Sequence, residues 1–195
     1  MTPVYSLVTA PAEEPVTLAE AAAQVRQDST ADDAYLIRCI KAARASIEKQ
    51  FNLYICTQTV DAHFPGFPRD NCLKINRGPL VSVSSVQYVT SGDQTLTFAA
   101  TNYDVSTHRQ QIVLKYAATW PLANLRPLDP VTVRCVMGYG GAAVVPENVK
   151  QAILLRIGHL YAHREEITLG AIAIESKALM VGVDHLMAPE RRYNA

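Results

Sequence analysis

An excess of charge of either sign, a paired-cysteine motif and a long uncharged apolar run are all missing from this sequence. Lys plus Arg and Asp plus Glu number 18 each, so the formal net charge is zero. No global field draws the chain toward nucleic acid or an acidic membrane, and any DNA contact must be local. Neutrality also lowers colloidal repulsion, which suits a protein that ends inside an assembly. The four cysteines, Cys39, Cys56, Cys72 and Cys135, lie far apart with no Cys-x-x-Cys. They read as small reduced hydrophobes of a cytosolic protein. Met1 to Tyr5 carries no basic region followed by an apolar stretch, and no window reaches the length of a membrane span, so neither secretion nor a membrane is expected.

Catalytic signals are equally sparse. No Gly-x-Ser-x-Gly occurs, and a nucleophile triad needs its serine or cysteine on such an elbow. The acidic pairs Glu13-Glu14, Asp32-Asp33 and Glu165-Glu166 are sequence neighbours at chain starts or helix ends, where caps and dipole partners explain them. No enzyme activity, cofactor or metal is expected.

What is present is enough apolar material to fold. Hydrophobic residues make up 49% and charged residues 18% of 195, which excludes disorder and allows one good-sized core or two small lobes. After a lead containing Pro3, Pro11 and Pro15, Thr17 and Glu20 have the spacing of a capping box, predicting a helix over 18–27. A second helix is expected from Ser29 or Thr30, with Asp32 and Asp33 in its first turn. Leu36, Ile37, Ile40, Ala43, Ile47 and Phe51 recur at three- and four-residue steps, so it is amphipathic.

From Thr57 the period becomes two, with Thr57, Thr59, Asp61 and His63 alternating against Gln58, Val60, Ala62 and Phe64. Strands are expected at 72–75, 81–90, 95–98, 103–106, 111–116 and 131–137. Short strands joined by turn residues predict an antiparallel sheet or small sandwich. Pro146 is expected at the first helical position of a third helix running to about Arg164, apolar nearly all round between Ala152 and Tyr161. The remainder, Ile167 to Met180, is apolar but broken by Gly170 and reads as a flexible or docking tail, with a last turn from Val183 to Met187. The fold class is α+β: a helical base over 16–56 and 146–195, with an antiparallel β lobe inserted over 57–145, in a single protein.

Four features suggest a specific role and have plainer explanations. His159 and His163 have the spacing of two ligands on one metal, but Leu160 stands where the zinc-protease motif needs glutamate. Gly138-x-Gly140-Gly141 sits between strand and helix, yet no Lys, Ser or Thr follows to hold phosphate, so a turn is the better reading. Tyr88, Tyr103, Tyr116 and Trp120 would be the platform of a small-molecule or glycan-binding β module, the alternative function, though aromatics on separate strands equally suit a core. Arg38, Lys41, Arg44 and Lys49 form a basic strip on helix two, facing either solvent or a DNA channel or acidic partner.

Several segments, in order, resemble the head-to-tail connector, or adaptor, family of long-tailed phages and gene-transfer particles. They are Leu18-Ala-Glu-Ala21, Tyr35-Leu36, Ala42-Ala-Arg44, Thr57-Gln-Thr59, Gly78-Pro-Leu-Val-Ser-Val-Ser-Ser-Val86 with Tyr88, and Tyr103-Asp-Val105. Trp120-Pro121, Gly138-Tyr-Gly140, Val145-Pro146, Gln151-Ala-Ile-Leu154, and His159-Leu-Tyr161 with Arg164-Glu165 complete the set. Where the family carries Thr-Gly-Arg after helix two, this chain has Phe51-Asn-Leu-Tyr54. The resemblance implies a virion neck protein, assembled in the bacterial host cytoplasm, that catalyses nothing. It implies self-association into a ring, a dodecamer, docked on a portal protein and meeting a tail or head-closure (stopper) protein, with DNA passing non-specifically through the channel. Ile167, Leu169, Ile172, Ile174, Leu179, Met180, Leu186 and Met187 are then the candidates for the ring or portal interface, and Arg38, Lys41, Arg44 and Lys49 for the channel or partner face.

Overall fold

The structure, a computed structural model, describes residues 2–164 and 181–190. The strands are β1 (Val4–Thr9), β2 (Gln58–Phe64), β3 (Cys72–Lys74), β4 (Leu80–Val89), β5 (Thr95–Phe98), β6 (Tyr103–Ser106), β7 (Gln111–Leu114) and β8 (Val131–Met137). The helices are α1 (Leu18–Val25), α2 (Asp33–Phe51), α3 (Glu147–Ala162) and α4, residues 181–187. The fold is therefore α+β, and its described residues fall into two compact units. One comprises residues 2–12 and 57–139, the other residues 13–56, 140–164 and 181–190.

The first unit holds two antiparallel sheets, ordered β1-β2-β8-β4-β5 and β3-β7-β6. Strand β8 is central, and the period-two pattern explains why. Its Val131, Val133, Cys135 and Met137 point to one face and are buried, opposite Val60, Ala62 and Phe64 of β2, in registers such as Val60↔Cys135 and Ala62↔Val133. At about 1.5–3 kcal/mol for each such side chain, this layer is the main reason the sheet holds together. The other face is polar: Asp61 accepts two hydrogen bonds from Arg134, both 2.8 Å. Five aromatic rings cluster between strands and loops, Phe98 and Tyr103 buried and Phe67, Tyr88 and Trp120 half-buried. Phe67 stacks on Trp120 at 5.1 Å and meets Tyr88 edge-on at 5.7 Å, while Phe98 stacks on Tyr103 at 5.8 Å.

Strand β1 departs from the sequence reading, which assigns no strand to the proline-rich lead. Pro3 and Pro11 flank it without interrupting it, which is tolerated because an edge strand needs only one of its two hydrogen-bonding sides.

In the second unit the capping box forms as the spacing predicts. Thr17 Oγ1 accepts from the Glu20 N–H at 3.2 Å, and Glu20 accepts from the Thr17 N–H at 2.6 Å. The Thr17 N–H, together with the Thr17 hydroxyl that donates to the same carboxylate at 2.7 Å, holds the Glu20 carboxyl below its usual pKa. Pro146 sits one place earlier than expected, as the N-cap of α3 with extended backbone, and its carbonyl accepts from Val149 and Lys150. The core gathers Leu36, Ile40, Ala43 and Ile47 of α2, Val149, Ile153 and Ile157 of α3, and Val183 and Met187 of α4. Ile37, counted above with the apolar stripe of α2, lies instead on its outer side, 43% exposed. It stands one residue, about 100° round the helix, from Leu36.

Helix α2 ends on Asn52, whose left-handed φ of 53° lets its N–H bond back to Glu48 O. This is the turn where the family pattern carries a glycine, and asparagine is among the few other residues that adopt this conformation readily. Replacing Asn52 by valine is expected to cost about 1–2 kcal/mol in denaturant unfolding, whereas Asn52→Gly should stay close to the parent.

Candidate functional site

The candidate site is a set of surfaces. Helix α2 presents Arg38, Lys41 and Lys49 outward, all exposed, and every exposed charged residue on that helix is basic. Its two acids are Asp33, half-buried at the start, and Glu48, buried. A local positive strip thus exists on a chain of zero net charge.

Arg44 belongs to a different environment from the other three. Its Nε lies 2.7 Å from Glu14 Oε2 and its Nη1 3.0 Å from Glu48 Oε2. Glu48 Oε1 in turn accepts from the Ile55 N–H at 2.9 Å. Burial works against the Arg44 charge, but the Glu14 hydrogen bond and the charges of Glu48 and Glu14 outweigh it and raise its pKa. The Arg44 guanidinium is therefore spent inside the chain and adds little to the outward strip.

Among the tail candidates, Ile167, Leu169, Ile172, Ile174, Leu179 and Met180 lie outside the described residues. Leu186 is half-buried and Met187 fully buried in the chain's own core. The α4 backbone and side chains are tied down locally, by Asn148 Nδ2 to Leu186 O and by Gln50 Nε2 to Asp184 Oδ1, both 3.0 Å. Met187 is thus a packing residue of the helical unit, taken up before any partner arrives.

Helix α3 ends in a clamp that sequence reasoning did not find. Asp32 accepts from Arg164 and, at 2.6 Å, from the Tyr161 hydroxyl. The Arg164 guanidinium lies 4.5 Å from the Tyr161 ring centre and 4.6 Å from that of Tyr35. The Arg164 hydrogen bond, with that of Tyr161, lowers the Asp32 pKa, and the bond to Asp32 raises that of Tyr161. Asp32, read from sequence only as a dipole partner of α2, also fixes the last turn of α3, 132 positions away. A separation of that length leaves no local trace.

The features that hinted at chemistry resolve into structure. His159 and His163 stack at 4.5 Å, and His163 Nδ1 lies 3.1 Å from the His159 carbonyl oxygen, a helix-end bond. Among the described residues no three His, Cys, Asp or Glu side chains gather as a metal would require. Gly138 and Gly140 have φ of 130° and 137°, which only glycine adopts without strain, and the Ala142 N–H beyond them donates to Glu13 Oε1 at 2.9 Å. A carboxylate of the chain occupies the amide that a phosphate would need. Ser6 Oγ lies 2.8 Å from His63 Nε2, but the other ring nitrogen meets Thr132 Oγ1 at 3.2 Å, and a hydroxyl cannot stabilise an imidazolium as a carboxylate does. The nearby acid, Asp61, is held by Arg134. Burial pushes the thiol of Cys56 up to about 11 and that of Cys135 up to about 12, so both stay protonated and unreactive at neutral pH.

Nor do the four aromatics form one platform. Tyr88, Tyr103 and Trp120 each pack against Phe67 or Phe98, with Tyr88 and Trp120 half-buried, while Tyr116 stands fully exposed. Exposed apolar residues concentrate elsewhere, on β1 and on the loop 115–130, where Leu122 and Leu128 project. That loop is ordered by Arg126 N–H to Val89 O at 3.0 Å and Val89 N–H to Pro130 O at 2.8 Å. No described helix is long and apolar enough to cross a membrane.

The described residues thus comprise two antiparallel sheets in one unit and a set of helices in the other. Chains of the same fold occur in gene transfer agent (GTA) particles. One, from the neck of an empty GTA particle computed with C6 symmetry, superposes with a TM-score of 0.78 at 20% identity, covering 98% of this chain and 97% of that one. A chain from the virion of a native GTA particle gives 0.79 at 18% identity over the same shares. One from the neck of a native GTA particle computed with C12 symmetry gives 0.77 at 18%. At these identities the likeness is one of fold. No family model matches the sequence, and no curated protein matches it.

Proposed function

We propose that this protein is a structural connector of a tailed-phage or gene-transfer particle neck, a non-catalytic virion part that forms a ring beneath the portal. The observation that carries this reading is the extent of the fold likeness: 98% of this chain and 97% of the neck chain superpose, so neither has a major element the other lacks. The ring itself is supported by the cyclic symmetries, C6 and C12, with which those necks were computed.

In this reading the helical base builds the ring wall, and α3, in contact with both α1 and α2, is the spine of the base. The portal and a tail or head-closure protein are the partners, with assembly in the bacterial cytoplasm. The strip Arg38, Lys41 and Lys49 faces packaged DNA or an acidic portal surface, and the segment 167–180 supplies further apolar contact.

Charge reversal tests the strip. The double variant Arg38→Glu, Lys41→Glu keeps the core of α2 intact, so its melting temperature should stay near the parent. Packaged-DNA retention or portal docking should fall at least about tenfold, as loss of one or two charge contacts at about 1.4 kcal/mol per decade implies. Unchanged particle yield and DNA content would remove the role.

A further inference from the structure

Among the described residues the five-stranded sheet ends in two edges with no neighbouring strand, and both lack the charges that normally keep a sheet edge from pairing with another chain. The first edge, β1, reads Val-Tyr-Ser-Leu-Val-Thr with no charged residue, and its Val4, Leu7 and Val8 are 65%, 58% and 44% exposed. A bulge between Leu7 and Thr9 and the flanking Pro3 leave Val4 to Leu7 as a regular stretch. The second edge, β5, reads Thr-Leu-Thr-Phe, again without charge, and Leu96 is 41% exposed.

The two edges also match in face. Leu7 pairs with the buried Val60, and Leu96 pairs with Tyr88, which in turn pairs with the buried Val131. Both leucines therefore stand on the apolar side of the sheet, at the margins where its own cover stops. Because every neighbouring pair in the sheet is antiparallel, β1 and β5 run in the same direction.

We propose that β1 of one copy pairs, in parallel, with β5 of the next, so that a continuous sheet passes from subunit to subunit around the ring. The proposal rests on the neck-connector reading. It commits to a second copy because a closed ring requires a heterologous contact, one patch meeting a different patch, and two opposite edges of one sheet are such a pair. Two β1 strands meeting about a two-fold axis would close a dimer and leave no route to a ring. In the proposed joint Leu7 and Leu96 share one apolar face, and the outer backbone groups of the two edges pair with each other.

The test uses the full chain co-expressed with its portal protein. In a Cys72→Ser background, Leu7→Cys combined with Leu96→Cys and treated with a short bismaleimide should give a ladder of multimers extending past the dimer. Either cysteine alone should give none. In parallel, Leu7→Lys at this exposed position should leave the melting curve unchanged and cut ring yield at least tenfold. Rings that form normally with Leu7→Lys, or that yield no ladder or a ladder ending at the dimer, would overturn the shared sheet while leaving the connector reading in place. If the unsubstituted chain forms no ring on its portal, both fall. If Leu7→Lys melts early, the cross-linking ladder alone decides.

Discussion

Replacing Arg44 by methionine is expected to destabilise the helical unit by about 3–5 kcal/mol, the cost of breaking a buried ion pair by removing one partner. The magnitude follows from what remains. Glu48 is 6% exposed, and without Arg44 its carboxylate stays buried with its guanidinium partner gone. Glu14 loses a bond to Nε of 2.7 Å. Methionine fills most of the space, so a cavity adds little and the loss is electrostatic. Removing Glu48 as well, as leucine, should not restore stability fully, because the Ile55 N–H then has no acceptor in a buried position. Denaturant unfolding measures both. A change below about 1 kcal/mol for Arg44→Met would mean that the triad behaves as a surface pair, and that Arg44 is available to the outward strip after all.

Truncating Met187 to alanine should cost about 2–5 kcal/mol, as expected for a fully buried methionine. The same change in Leu186, which is half-buried, should cost less. The pair separates two roles for the last helix. A residue whose work is packing loses melting temperature when truncated, while one whose work is docking keeps its melting temperature and loses assembly. If Met187→Ala melted like the parent and failed to assemble, its side chain would be an interface residue that the free chain merely shelters.

Local signals carried much of the fold. Strands β5, β6 and β8 lie where alternation and turn residues put them, and the Thr17–Glu20 capping box opens α1. These are properties of a few consecutive residues, and sequence displays them directly. Strand β1 was hidden because its six residues alternate no polarity: both faces are largely exposed, so neither buried nor solvated positions leave a pattern. The surfaces were harder still. Arg44 looks like a fourth member of a basic strip until Glu14, 30 positions earlier, takes its guanidinium. Tyr103 and Trp120 look available for a ligand until Phe98 and Phe67 stack on them. A residue's type shows what it can do, and only its long-range neighbours show whether that capacity is already used.

Solution mass together with negative-stain imaging, on the chain co-expressed with its portal protein, tests the central claim most directly. The connector account predicts annular particles that co-purify with the portal. A chain that stays monomeric beside its portal and binds a soluble glycan instead would contradict it.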